Sequence, residues 1–230
     1  DFGKPDVRKW WADNQKFLVD LGVRGTWNDM NEPASFRGEL PQDVVFTDED
    51  QKTDHAAMHN VYGHLMSKAT YEGLKENDKR RPFVITRACY AGTQKYSTVW
   101  TGDNQSLWAH LRMAVPQLCN LGMSGIAFAG TDVGGFGADC TPELMCRWVQ
   151  VGAFSPLFRN HSSMGSTYQE PWQFDEKTLR IYRKFVELRY QLLPYLYDLF
   201  HECELTGLPV MRPLVLHYEN DPETWNLNGE

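Results

Sequence analysis

The chain has 230 residues, 42% hydrophobic and 13% aromatic, enough to bury a sizeable core in one large domain or two small ones. Its formal net charge of −7 argues against a surface built for nucleic acid or anionic lipid, both of which want a dense basic patch, and leaves a neutral ligand such as a sugar open. No apolar run approaches the roughly 20 residues of a membrane span, and the opening DFGKPDVRKWW lacks a signal peptide's apolar core.

The elements alternate along the chain. Residues 6–21 read as a helix with Trp10, Phe17 and Leu18 on one side and Gly22 as its stop. VRGTW is a short strand running into the polar turn NDMNEP, and the acidic stretch 39–54 reads as a loop. A helix is expected from His55 to about Lys75, then strands at RPFVITR (81–87) and STVWTG (97–102). A helix over 106–121 leads to the small-residue strand SGIAFAG (124–130). The next helix, 141–153, has Thr141 as cap and Pro142 at its first position. A long apolar helix spans 176–205, kinked or interrupted at Pro194, and VMRPLVL (210–216) closes as a last strand.

Strand–helix alternation at this spacing predicts an α/β fold of parallel units, whose strands are buried on both faces and so read as continuous apolar runs. No Gly-rich phosphate loop follows any strand, which disfavours a dinucleotide-binding sheet. Carboxylate-rich turns follow the strands instead, as at the catalytic face of a (β/α)8 TIM-type barrel. Five strands are read where a closed barrel needs eight, and the chain opens on a helix. The expectation is therefore that residues 1–230 form the C-terminal portion of a barrel, about strands 4 to 8 with their helices, with strands 1 to 3 outside this chain.

Three strand ends carry most of the polar residues. At the first, WNDMNE, Asp29 and Glu32 sit three residues apart beside Trp27. The second is WTGDN, where Trp100 precedes Asp103. The third is GTDVGGF, with Asp132 and Phe136, followed later by Arg159-Asn160-His161. Glycoside cleavage needs such parts: one carboxylate to attack or activate water and another carboxyl to protonate the leaving oxygen. Aromatic faces suit the C–H faces of a sugar ring, and charged groups hold its hydroxyls. In a barrel the ends of strands four and six lie near one another across the mouth, so Asp29 and Asp103 are expected to face each other.

WNDMNEP resembles the nucleophile motif of glycoside hydrolase family 31, the α-glucosidase, sucrase-isomaltase and α-xylosidase family. RPFVITRACYAGTQKY, VWTGDNQSLW, GTDVGGF and GAFSPLFRNH resemble that family in the same order, over roughly residues 5–215. The resemblance implies a retaining double displacement, with Asp29 as nucleophile and Asp103 as acid/base. Glu32 would lie just behind Asp29 as an orienting part of the active site. Arg87 and His161 would bind hydroxyls in the first subsite, Asp132 would help shape it, and Trp27, Met30, Trp100 and Phe136 would form its apolar walls. The implied activity is that of an exo-acting α-glycoside hydrolase releasing glucose from non-reducing ends of a disaccharide or oligosaccharide. An α-xylosidase, or a carbohydrate-binding relative without turnover, is the alternative. Accessory β domains are expected outside the chain, and neither metal nor cofactor is implied.

Other features take plainer readings. Cys89, Cys119, Cys140, Cys146 and Cys203 show no C-x-x-C motif and read as free thiols, which favours a cytoplasmic setting. Trp10, Trp11, Trp108, Trp148 and Trp172 are expected as core or interface aromatics. His55, His59, His64, His110, His201 and His217 take no functional role. Asn104-Gln105-Ser106 and Asn160-His161-Ser162 match the N-glycosylation pattern but abut pocket residues, so both matches are read as coincidental.

Overall fold

Pro5 opens helix α1 (Pro5–Asp20), where the N–H it lacks would have no intrahelical partner. The computed structural model describes residues 1–227 and 229, and these divide into two units, one from Asp1 to Val99 and one from Trp100 onward.

In the first unit α1 packs on α2 (His55–Asn77) through a face other than the one expected. Ala12 and Gln15 are buried, whereas Trp10 and Phe17 are 60% and 68% exposed. The cause is a close approach at Gly73, where a Cβ would stand 2.4 Å from the carbonyl oxygen of Ala12. The bare Gly73 lets the α2 backbone come up against the Ala12 backbone, which sets the side of α1 that turns inward. Trp11 Nε1 donates to Thr70 Oγ1 at 2.8 Å and fixes that rotation.

Strands β1 (Gly25–Asn28), β4 (Phe83–Thr86) and β5 (Thr98–Trp100) run parallel, with Gly25 opposite Phe83 and Ile85 opposite Thr98. The stretch 39–54, expected as a loop, contains an antiparallel hairpin, β2 (Val45–Asp48) and β3 (Gln51–Asp54). Buried Phe46 anchors it by ring contacts to His55 and Tyr62. The acidic residues that suggested a loop decorate its exposed side. Asp54 then caps α2, its carboxylate accepting from Ala57 N at 2.9 Å.

The second unit holds α3 (Trp108–Met123), β6 (Ala129–Gly130), β7 (Asp132–Val133), α4 (Pro142–Phe154), β8 (Arg159–Asn160) and α5 (Glu176–Thr206). Its core is Leu111, Val133, Leu144, Met145, Trp148 and Val149, with Phe158 and Phe185 packed against it. Thr141 caps α4 and Pro142 starts it, as the sequence predicts. Helix α5 runs on through Pro194 without interruption and stops at Gly207, whose φ of 80° is the left-handed end that glycine adopts freely.

Several expectations need correction. Of 124–130 only Ala129–Gly130 is strand, because the chain is still unwinding from α3 (Ile126 N to Leu121 O, 2.8 Å). Residues 210–216 form bends and the 3-10 turn Leu214–Leu216. Pro213 has no N–H for a ladder, and Arg212 folds back onto the Pro209 carbonyl at 2.6 Å and pairs with Glu202. Strands β7 and β8, parallel with Asp132 opposite Arg159, are each too short for a periodic signal. Trp148 is core, while Trp10, Trp108 and Trp172 are exposed. All five cysteines are free thiols. Among the described residues no helix is long and apolar enough to cross a membrane.

Candidate active site

The first unit gathers Asp29, Glu32 and Arg87 where β1 and β4 end. Parallel pairing brings the ends together: Asn28 is opposite Thr86, and Arg87 N donates to Asn28 O at 3.2 Å. Arg87 reaches Glu32 with Nε at 2.7 Å and Nη2 at 3.1 Å, a two-point grip on a planar carboxylate. Its Nη1 lies 3.3 Å from Asp29 Oδ1. One guanidinium thus serves both carboxylates of WNDMNE. Burial pushes the Glu32 carboxyl up, but the Arg87 hydrogen bond and charge, helped by the nearby His59, outweigh it and leave it below the ordinary glutamate value.

Two buried asparagines hold this turn, and sequence reasoning did not single them out. Asn28 Nδ2 donates to Thr70 Oγ1 at 3.0 Å, and Asn31 Nδ2 to Thr86 Oγ1 at 2.9 Å. Asn31 Oδ1 also accepts from Ala88 N at 3.1 Å. They flank Asp29 and Met30, so the chain is pinned on both sides of the residues it presents. Met30 has a φ of 57°, an unusual backbone for a non-glycine residue, and its N–H donates to Asp29 Oδ1 at 2.8 Å. Trp27 and Met30 are both exposed.

In the second unit, Asp132 is fully buried and ion-paired to Arg159, its partner across β7 and β8. The Arg159 guanidinium lies over the Trp100 ring, 5.2 Å from its centre. Trp100 itself is 3% exposed. Phe136 stacks on His161 with ring centres 5.3 Å apart. His161 also lines a cleft of about 400 Å³ with Asn160, Tyr168, Gln169 and Glu170. Asp103 is exposed on the loop after β5.

The loops around these residues are bound to one another by side-chain and backbone hydrogen bonds. Gln169 is buried and donates from Nε2 to Gly135 O at 2.7 Å, while its carbonyl accepts from Asn160 Nδ2 at 2.9 Å. Ser163 N donates to Phe136 O at 2.8 Å, and Asp139 Oδ1 accepts from Thr167 N at 2.7 Å. Asn104 Nδ2 donates to Asp132 O at 3.0 Å. The amide nitrogens of Asn104 and Asn160 are therefore engaged inside the fold, a physical reason for reading both glycosylation patterns as coincidental. Among the described residues no group of three or more His, Cys, Asp or Glu side chains is placed to hold a metal ion.

The glycosyl hydrolases family 31 TIM-barrel domain matches residues 1–199. The chain belongs to glycosyl hydrolase family 31, and its α/β fold is that of the family's TIM-barrel domain. It is 52% identical to alpha-glucosidase 2 of Bacillus thermoamyloliquefaciens over 234 residues, covering 100% of this chain and 30% of that protein. It is 44% identical over 239 residues to neutral alpha-glucosidase C of Mus musculus, covering 100% of this chain and 26% of that protein. The chain thus spans about a third or less of these relatives. Among solved structures it superposes on a Flavobacterium johnsoniae dextranase complexed with glucose at a TM-score of 0.91 and 40% identity, covering 100% of this chain and 29% of that one. Another structure of that dextranase holds isomaltotriose. The family 31 alpha-glucosidase of Bacteroides thetaiotaomicron gives a TM-score of 0.84 and 42% identity, covering 100% of this chain and 37% of that one.

Proposed function

We propose that the complete protein carrying this chain is a retaining, exo-acting α-glucosidase that cuts glucose from the non-reducing ends of α-linked disaccharides or oligosaccharides. The observation that carries the reading is the Asp29–Arg87–Glu32 cluster. A carboxylate stands at a strand end, flanked by buried anchors and held by a guanidinium that a second carboxylate orients. Alpha-glucosidase relatives, and a dextranase holding glucose and isomaltotriose, support glucose as the released sugar and an oligosaccharide as the substrate.

In this reading the Asp29 carboxylate attacks the anomeric carbon as the glycosidic C–O bond breaks, and Asp103 gives its proton to the departing oxygen. Asp103, now a carboxylate, takes a proton from water, whose oxygen attacks the anomeric carbon and releases Asp29. Two inversions leave the configuration retained. Arg87, with Nη1 3.3 Å from Oδ1, aims Asp29. His161, backed by Phe136, binds a sugar hydroxyl, and Trp27 and Met30 offer apolar surface to the ring.

The test is hydrolysis of chromogenic α-glucoside and α-xyloside by the complete protein and its Asp29→Ala variant, with the anomer first released followed by NMR. Faster cleavage of the glucoside, release of the α-anomer and loss of activity in the variant are expected. Release of the β-anomer would overturn the retaining mechanism, and an Asp29→Ala variant of full activity would overturn the nucleophile.

A further inference from the structure

We propose that Asn104 is a positioning residue for Asp103: its buried amide locks the residue beside the acid/base onto the backbone of Asp132. The inference deepens the proposed function and rests on its assignment of Asp103.

Residues 103–106 alternate in exposure along a bent loop. Asp103 and Gln105 are exposed, while Asn104 and Ser106 are only 8% and 7% exposed. The inward pair does the holding. Asn104 Nδ2 donates to Asp132 O at 3.0 Å, and its Oδ1 accepts from Asp132 N at 3.2 Å. An amide that binds both the N–H and the C=O of one residue fixes distance and rotation together, as a strand partner would. Asn104's own carbonyl accepts from Phe136 N at 2.7 Å and Gly137 N at 3.1 Å, and its N–H donates to Gly102 O at 2.9 Å. Ser106 adds Oγ to Gly134 O at 2.8 Å and N to Gly137 O at 2.8 Å.

The side chain must be an amide to do this. A carboxylate keeps the acceptor but sets an oxygen against the Asp132 carbonyl, and an apolar residue leaves both backbone groups of Asp132 without these bonds. The same loop leads to Phe136, which backs His161. Asn104 therefore fixes the backbone from which Asp103 extends relative to the chain carrying Phe136.

A residue acting through the acid shows its effect only where the leaving oxygen needs a proton. In the complete protein, Asn104→Asp is expected to lower kcat/KM on an α-linked glucose disaccharide by roughly 10- to 100-fold, a good part of what general acid catalysis contributes. On 2,4-dinitrophenyl α-glucoside, whose leaving group departs unprotonated, the loss is expected to stay within about 3-fold, and Asp103→Ala is expected to show the same contrast more strongly. Relative activity of Asn104→Asp on the disaccharide should recover toward acid, where the introduced carboxyl is protonated and donates again. Asn104→Ser, which brings no charge, should show the contrast without the recovery. Equal losses on both substrates would make Asn104 a purely structural residue and overturn the proposal, as would failure of both variants to fold. If Asp103→Ala shows no contrast, the acid/base assignment fails and this inference with it. If Asp103→Ala shows it and neither Asn104 variant does, only this inference fails.

Discussion

Arg87 and Glu32, 55 residues apart in sequence, meet through two hydrogen bonds of 2.7 and 3.1 Å, and the same guanidinium reaches Asp29 at 3.3 Å. The arginine expected to hold a sugar hydroxyl thus already carries two carboxylates. Its fork geometry, not its charge alone, is what the arrangement uses.

Arg87→Lys tests that. Lysine keeps the charge but cannot grip Glu32 at two points and reach Asp29 as well. Hydrogen bonds to charged groups contribute about 1.5–3 kcal/mol each, so kcat/KM on the α-glucoside should fall roughly 10- to 100-fold. Steady-state kinetics of the variant decides it. A loss below about twofold would mean that charge suffices.

Glu32 sets a pH dependence of stability. Burial favours its neutral form, but the Arg87 hydrogen bond and charge win and lower its folded value below 4.5. A group whose folded value is lowered stabilises the protein above its unfolded value, and that contribution is lost as pH falls through the folded value. Melting temperatures should therefore drop below about pH 4.5, and Glu32→Gln should drop less steeply. Asp139 and Asp175, lowered by hydrogen bonds from Thr167 and Thr178, would keep part of the slope.

Gln169→Leu removes the Nε2 donor from Gly135 O while nearly keeping the volume. Leaving a buried carbonyl unpaired costs about 1–3 kcal/mol. Because the bond ties the Gly135 loop to the chain carrying His161, KM for the glucoside should rise more than kcat falls. A variant with unchanged KM would show that this tie does not govern sugar binding.

Gly135→Ala and Gly165→Ala separate conformation from packing. Both glycines have positive φ, 95° and 93°. A Cβ on Gly135 would stand 2.4 Å from Ser106 N and 2.5 Å from its Cα, backbone that cannot move aside, whereas nothing lies within 4 Å at Gly165. Gly165→Ala should cost only the conformational penalty of about 1–2 kcal/mol. Gly135→Ala should cost clearly more and yield little folded protein, as equilibrium unfolding and soluble yield would show.

By itself the sequence determined the α/β class, most helices, the Thr141–Pro142 start of α4 and the three polar strand ends, because each is carried by neighbouring residues or a regular period. It also carried the family, since motifs such as WNDMNEP are contiguous. The tertiary structure alone decided which side of α1 faces inward, because the approach of Gly73 to Ala12 depends on a helix more than fifty residues away. It likewise decided what holds the candidate site. Asn104 meets Asp132, Gln169 meets Gly135 and Arg87 meets Glu32 across 28, 34 and 55 residues. A hydrogen bond between remote side chains leaves no periodic trace in the chain, so these ties emerge only when the strand ends are brought side by side.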